Sequence, residues 1–238
     1  MMFSVLERTL QDISTRRVLL ARQLPIPLGL ALLAMGLDWL RAVGDDFSGI
    51  VALALGFTVF SLYLAATVLV AVVVHRVMLL GKVADQGLWV SWTLRETWFA
   101  LHMIALMLIA VLLFVLAAVP LIGWLLALLA IGYVFGRLSL VFPGIAVDRG
   151  VSFGNSRRLT SGHGMSMFML VAFIPCVLLM PVAWMPDAWW GVPVRLAWSF
   201  AVEILAIACL SLAYHEITTK HWEQADRPDD GLDRTPDR

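Results

Sequence analysis

Between Leu24 and Glu216 the chain is a succession of six apolar stretches joined by short polar connections, with the basic residues gathered in alternate connections. About 20 apolar residues are what an α-helix needs to cross the roughly 30 Å hydrocarbon core of a bilayer, where each backbone N–H and C=O must be bonded within the segment. The runs are continuous rather than alternating, which is the pattern of membrane helices and not of a β-barrel. Hydrophobic residues make up 61% of the chain and charged ones 14%, against about 45–50% and about 25% in soluble domains. The expected class is all-α: a polytopic membrane protein whose six transmembrane helices are Leu24–Leu40, Ile50–Val74, Trp98–Val119, Leu121–Leu140, Met165–Met185 and Arg195–Glu216. Pro120 separates the third from the fourth. A single helix through it to Val147 would be about 75 Å long at 1.5 Å per residue, so a tight hairpin is expected.

Orientation follows from charge. Of the 17 Lys and Arg residues, 14 lie before the first span, after the second, after the fourth, or after the sixth. Arg41 and Arg195 fall in the other connections, and Arg137 lies inside span four. By the positive-inside rule both termini are expected in the cytoplasm, as an even number of spans also requires. Trp39, Trp124, Trp184, Trp189, Trp190 and Trp198 fall near the expected outer ends, and Trp89, Trp92 and Trp98 near the inner face, as interfacial anchors do.

Outside the spans, three regions are distinguishable. Residues 1–22 form an amphipathic cytoplasmic segment, with Phe3, Leu6, Leu10 and Ile13 at helical spacing for lying along the inner leaflet. Gly87 to Phe99 is expected to behave similarly, with Trp89, Trp92 and Phe99 on one face. A short helix is expected over Val151–Gly162, capped by Ser152. Residues 23–217 are the transmembrane domain, and 218–238 a polar tail too poor in apolar groups to fold. Gly132 and Gly136 make a GxxxG pair in span four, with Ala52 and Gly56 similar in span two; both read as close-packing sites.

Chemistry is sparse. The formal net charge is zero, so no basic field points to nucleic acid. Cys176 and Cys209 sit in apolar spans as buried thiols. His215 and His221 are six residues apart, about 240° around a helix, rather than the four of a zinc-protease helix. No nucleophile elbow or phosphate-binding loop occurs, so neither a cofactor nor a metal is expected. The ionisable groups within spans are Asp38, His102, Arg137, Glu203 and His215, which are functional suspects by default. By helical rise, Arg137 is about 6 Å from the inner edge and can snorkel to the headgroups. Glu203 is about 12 Å and Asp38 about 9 Å below the outer edge, and Arg41 is placed to pair with Asp38.

Short signatures recur at the inner ends of the even-numbered spans. They are His75-Arg76 with Gly81, Arg137-Leu-Ser-Leu-Val-Phe-Pro143-Gly-Ile-Ala146-Val-Asp148, and Ser211-Leu-Ala-Tyr214, with Ser152, Phe153, Ser156, Thr160 and Gly162 between the last two. In these residues the chain resembles a family of bacterial six-helix inner-membrane proteins, similar to the membrane-anchor domain of some glycerophosphodiester phosphodiesterases. The resemblance implies a bacterial cytoplasmic membrane and transfers no catalytic residue, because the soluble phosphodiesterase domain is absent from these residues. The expectation is a non-enzymatic membrane protein acting through membrane lipids or a membrane-protein partner. The alternative is a small-solute or proton-coupled transporter using Glu203 with Asp38 or Arg137. A third class, an intramembrane enzyme, requires His75, His102 and His215 to converge with acids.

Overall fold

The computed structural model describes residues 2–43, 49–81, 92–150, 152–185 and 191–225. These form helices α1 (Met2–Gln23), α2 (Pro25–Val43), α3 (Gly49–Leu80), α4 (Leu94–Phe114), α5 (Gly123–Leu138), α6 (Val141–Ala146), α7 (Phe153–Leu159), α8 (Gly164–Phe168), α9 (Ile174–Leu179) and α10 (Gly191–Ala225), and no strand among the described residues. Six helical segments are long and apolar enough to cross a membrane: α2, α3, α4 with its 3₁₀ continuation to Ala118, α5 with α6, the run Gly164–Trp184, and α10. The all-α, multi-pass reading therefore holds. Several bounds move: α3 runs on past Val74 to Leu80, the fourth span past Leu140 to Ala146, and α10 past Glu216 to Ala225, while α4 begins at Leu94 rather than Trp98. The expected tail thus begins as helix, and residues 226–238 lie outside the described ones.

Local chemistry explains where the spans bend and turn. The Pro120 hairpin closes with Ile122 N–H donating to the Pro120 carbonyl at 2.8 Å and Gly123 N–H to Val119 at 2.9 Å. A Cβ on Gly123 would lie 2.6 Å from the Leu116 carbonyl oxygen, so no side chain fits there. Leu121 takes φ of 68°, left-handed for a branched residue, and holds its side chain fully outside the turn. In the fifth span Pro175 follows a π-helical stretch, Met169–Phe173. Proline has no N–H for the preceding turn and its ring crowds the carbonyl four residues back; widening that turn relieves both.

The glycines of the GxxxG pair are packing sites as expected. A Cβ at Gly132 would meet the Phe168 ring at 2.8 Å, and one at Gly136 would meet the Phe168 backbone nitrogen at the same distance. α5 can therefore touch α8 backbone to backbone, the contact small residues permit between membrane helices.

The N-terminal helix packs a face that only partly overlaps the one the sequence pattern suggests: Leu6 and Ile13 of that stripe lie against the core and Leu10 does not. Val5, Thr9 and Leu20 are buried and Ile13 packs against the core, while Leu10 and Val18 are exposed. Val5 joins Leu140, Met167, Leu170 and Tyr214 in one core cluster, and Leu20 joins Val70, Val74 and Ala208 in another. The two candidate stripes are adjacent on the helix, and periodicity cannot tell a face packed on protein from one bathed in lipid.

Candidate functional site

One end of the bundle collects Arg16, Arg76, Arg95, Arg137 and Arg149, and three of these guanidiniums end helices. Arg16 on α1 donates to the carbonyls of Val77 and Met78, the latter at 2.8 Å, in the last turn of α3. Arg76 on α3 donates to the Ala146 carbonyl at 3.2 Å, at the end of α6. Arg137 on α5 donates to the Thr160 and Arg157 carbonyls at 2.8 and 2.9 Å, closing α7. In return the Ser156 and Thr160 hydroxyls donate to the Arg137 carbonyl at 2.9 and 3.2 Å. The last carbonyls of a helix lack partners within it and carry its negative dipole end, so a planar, multi-donor cation fits there. Arg137 therefore does not need the headgroups: its fork is filled by α7. Ser152 starts that same helix as expected, accepting from Asn155 N–H at 3.3 Å.

A second group links α3, α4 and the α6–α7 connection. The Asp148 carboxylate accepts from Arg76 at 3.3 Å and from Arg95 at 3.2 Å. Arg95 also donates to Glu96 at 3.1 Å. Glu96, at the third position of α4, accepts from the Thr93 backbone N–H at 2.8 Å and from the Thr93 hydroxyl, completing a capping box. Beside this network is a cleft of about 530 Å³ whose walls include Arg95, Trp98, His102, Asp148 and Arg149. Trp98 at the cleft and Trp92 before α4 are both exposed, whereas Phe99 is buried against Phe142 at a ring distance of 4.7 Å. The expected shared aromatic face on Gly87 to Phe99 is thus split, and its Trp89 lies outside the described residues.

Asp38, Arg137 and Glu203 are not brought together. Asp38 pairs with Arg41 at 2.8 Å at the opposite end, both half-exposed, as the helical spacing suggests. Glu203 is turned into the bundle: its Oε1 is buried with no hydrogen-bond partner, and Thr67 on α3 neighbours the same carboxyl group. Eight residues further along each helix, about 12 Å, the buried His75 on α3 meets Ser211 on α10 with Nδ1 to Oγ at 2.7 Å. The Ser211 hydroxyl lies 2.9 Å from the Ile207 carbonyl. With its single proton directed there, Nδ1–H of a neutral imidazole is the donor to Oγ. Between the two pairs lie the buried Val70, Val74 and Ala208.

The other residues are scattered. His102 bonds the Trp98 carbonyl at 2.8 Å, and His215 is exposed beside a separate groove with Arg8 and Lys220. Among the described residues no three His, Cys, Asp or Glu side chains converge as metal ligands would. Cys209 is buried but Cys176 is exposed, and both thiols are free, which corrects the expectation for Cys176: its position on α9 faces outward. The expected end of span two, Val74, falls one residue short of His75, so the sequence signals the His75–Ser211 pair only through the His75-Arg76 and Ser211-Tyr214 signatures. No protein-family model matches the chain, and comparison with curated proteins and with solved structures finds no similar one.

Proposed function

We propose that the chain is a non-enzymatic protein of a bacterial inner membrane that acts through lipid or protein contacts at its basic end, with that end and both termini in the cytoplasm. The observation that carries this reading is the Arg76–Asp148–Arg95–Glu96 network and the cleft beside it. The network braces three spans and leaves a basic, tryptophan-edged recess at the level where a bilayer presents its headgroups. The resemblance in the His75-Arg76, Arg137–Asp148 and Ser211-Tyr214 segments supports the same end and the bacterial membrane. The test is extraction from native membranes in a lipid-preserving polymer, followed by mass spectrometry of what is retained. A reproducible lipid or protein enriched over the bulk membrane is expected; a composition equal to the bulk would remove the reading.

A second reading, proton- or solute-coupled transport, is favoured by the buried, unpartnered Glu203 Oε1. The apolar layer of Val70, Val74 and Ala208 that separates Glu203 from His75 weighs against a continuous polar path. Flux in reconstituted vesicles that falls on Glu203→Gln would favour transport, and unchanged flux would discard it.

A further inference from the structure

We propose that the cleft beside Arg95 and Arg149 holds the phosphate of an anionic phospholipid, whose acyl chains lie along α4. The inference rests on the basic end being a lipid-contacting surface and goes on to name the site and the headgroup chemistry.

Three observations carry it. Around the cleft, three guanidiniums (Arg76, Arg95 and Arg149) face two carboxylates (Glu96 and Asp148), so one positive charge is left over. The excess is localised. Arg76 and Arg95 are tied to Asp148, Glu96 and the Ala146 carbonyl, whereas Arg149, also part of the cleft wall, has an exposed side chain with no hydrogen bond or ion pair among the described residues. A free guanidinium offers the fork of donors that a phosphate diester accepts.

The cleft also opens onto an apolar track. Leu94 and Trp98 belong to its wall, and the same exposed stripe continues through Leu101, Leu108, Leu112 and Val115. Those residues recur at three, four or seven positions, one face of a helix, and cover about 30 Å of rise, the thickness of the hydrocarbon core. A phosphate in the cleft would therefore sit at the head of a lane for hydrocarbon chains, with the Trp98 ring at the boundary where amphipathic aromatics settle. A soluble phosphate compound would use the cation but not the lane, which is why a membrane lipid is the favoured source.

The test is native mass spectrometry of the full chain released in mild detergent, titrated with phosphatidylglycerol or phosphatidylcholine. The wild-type chain is expected to retain the anionic lipid about tenfold more tightly, the factor that roughly 1.4 kcal/mol supplies. Arg149→Gln should abolish that preference, and Arg149→Lys, which keeps the charge, should preserve most of it. Both sit at an exposed position, and thermal unfolding should match wild type. Millimolar inorganic phosphate should leave the bound lipid in place. Equal retention by wild type and Arg149→Gln, loss of the preference in Arg149→Lys, or displacement by inorganic phosphate would each overturn the proposal. If native extraction yields an enriched lipid or partner that Arg149→Gln leaves unchanged, the broader function stands and this site does not.

Discussion

Arginine at the basic end does two jobs that look identical in a sequence. Arg137 could have been a cation reaching for headgroups, but its guanidinium spans the Arg157 and Thr160 carbonyls. Arg137→Lys keeps the charge and loses the fork, so it should cost about 1 kcal/mol of stability, with Arg137→Gln costing more, up to about 3 kcal/mol. Unfolding in lipid nanodiscs checks this; equal stability of the lysine variant would mean that charge alone matters. The buried His75–Ser211 pair gives a second residue-scale prediction. Ser211→Ala removes the acceptor of a buried imidazole N–H and should cost about 1–3 kcal/mol. His75→Ala combined with it should show a coupling of at least about 0.5 kcal/mol in a double-mutant cycle, whereas strict additivity would place the two side chains in separate environments.

At the scale of elements, hydropathy located the spans well and their ends on the basic side of the bundle poorly. The six apolar runs correspond to the six long helical segments within a few residues at most ends. The last turns of α3 are held by Arg16 of α1, and Ile217 and Thr218 of α10 are buried beyond the expected end of span six. Hydropathy measures partition into lipid; caps and protein contacts decide how far a helix continues into water. The same limit hid part of the packed face of α1. The GxxxG pair, by contrast, was legible, because absence of a side chain is a local property. It also ranks two substitutions. Gly136→Ala forces a Cβ against the Phe168 backbone, whereas Gly132→Ala meets chiefly its ring, which can turn. The first should destabilise by about 1–3 kcal/mol and the second by less; the reverse order in a nanodisc melt would contradict the α5–α8 contact.

For the whole molecule, two of the basic residues on which the expected orientation rests, Arg16 and Arg76, also close helices at one end. Reporter fusions after Arg41 and after Pro186 should report the outside, and fusions after Lys82 and at the C-terminus the cytoplasm; the opposite pattern would invert the proposed orientation. By itself the sequence determined the class, the number of spans and the end where cations gather. Each follows from properties a segment carries alone: its length against the hydrocarbon thickness, the need to bond its own backbone, and the charge of its flanks. Tertiary structure decided which arginine caps which helix, that Glu203 faces the bundle while Asp38 stays with Arg41, and that His75 finds Ser211. Those outcomes join groups far apart in the chain, 61 residues for Arg16 with Val77 and 136 for His75 with Ser211. No local pattern encodes such pairings, because the energy of a buried donor depends on the acceptor that packing brings to it.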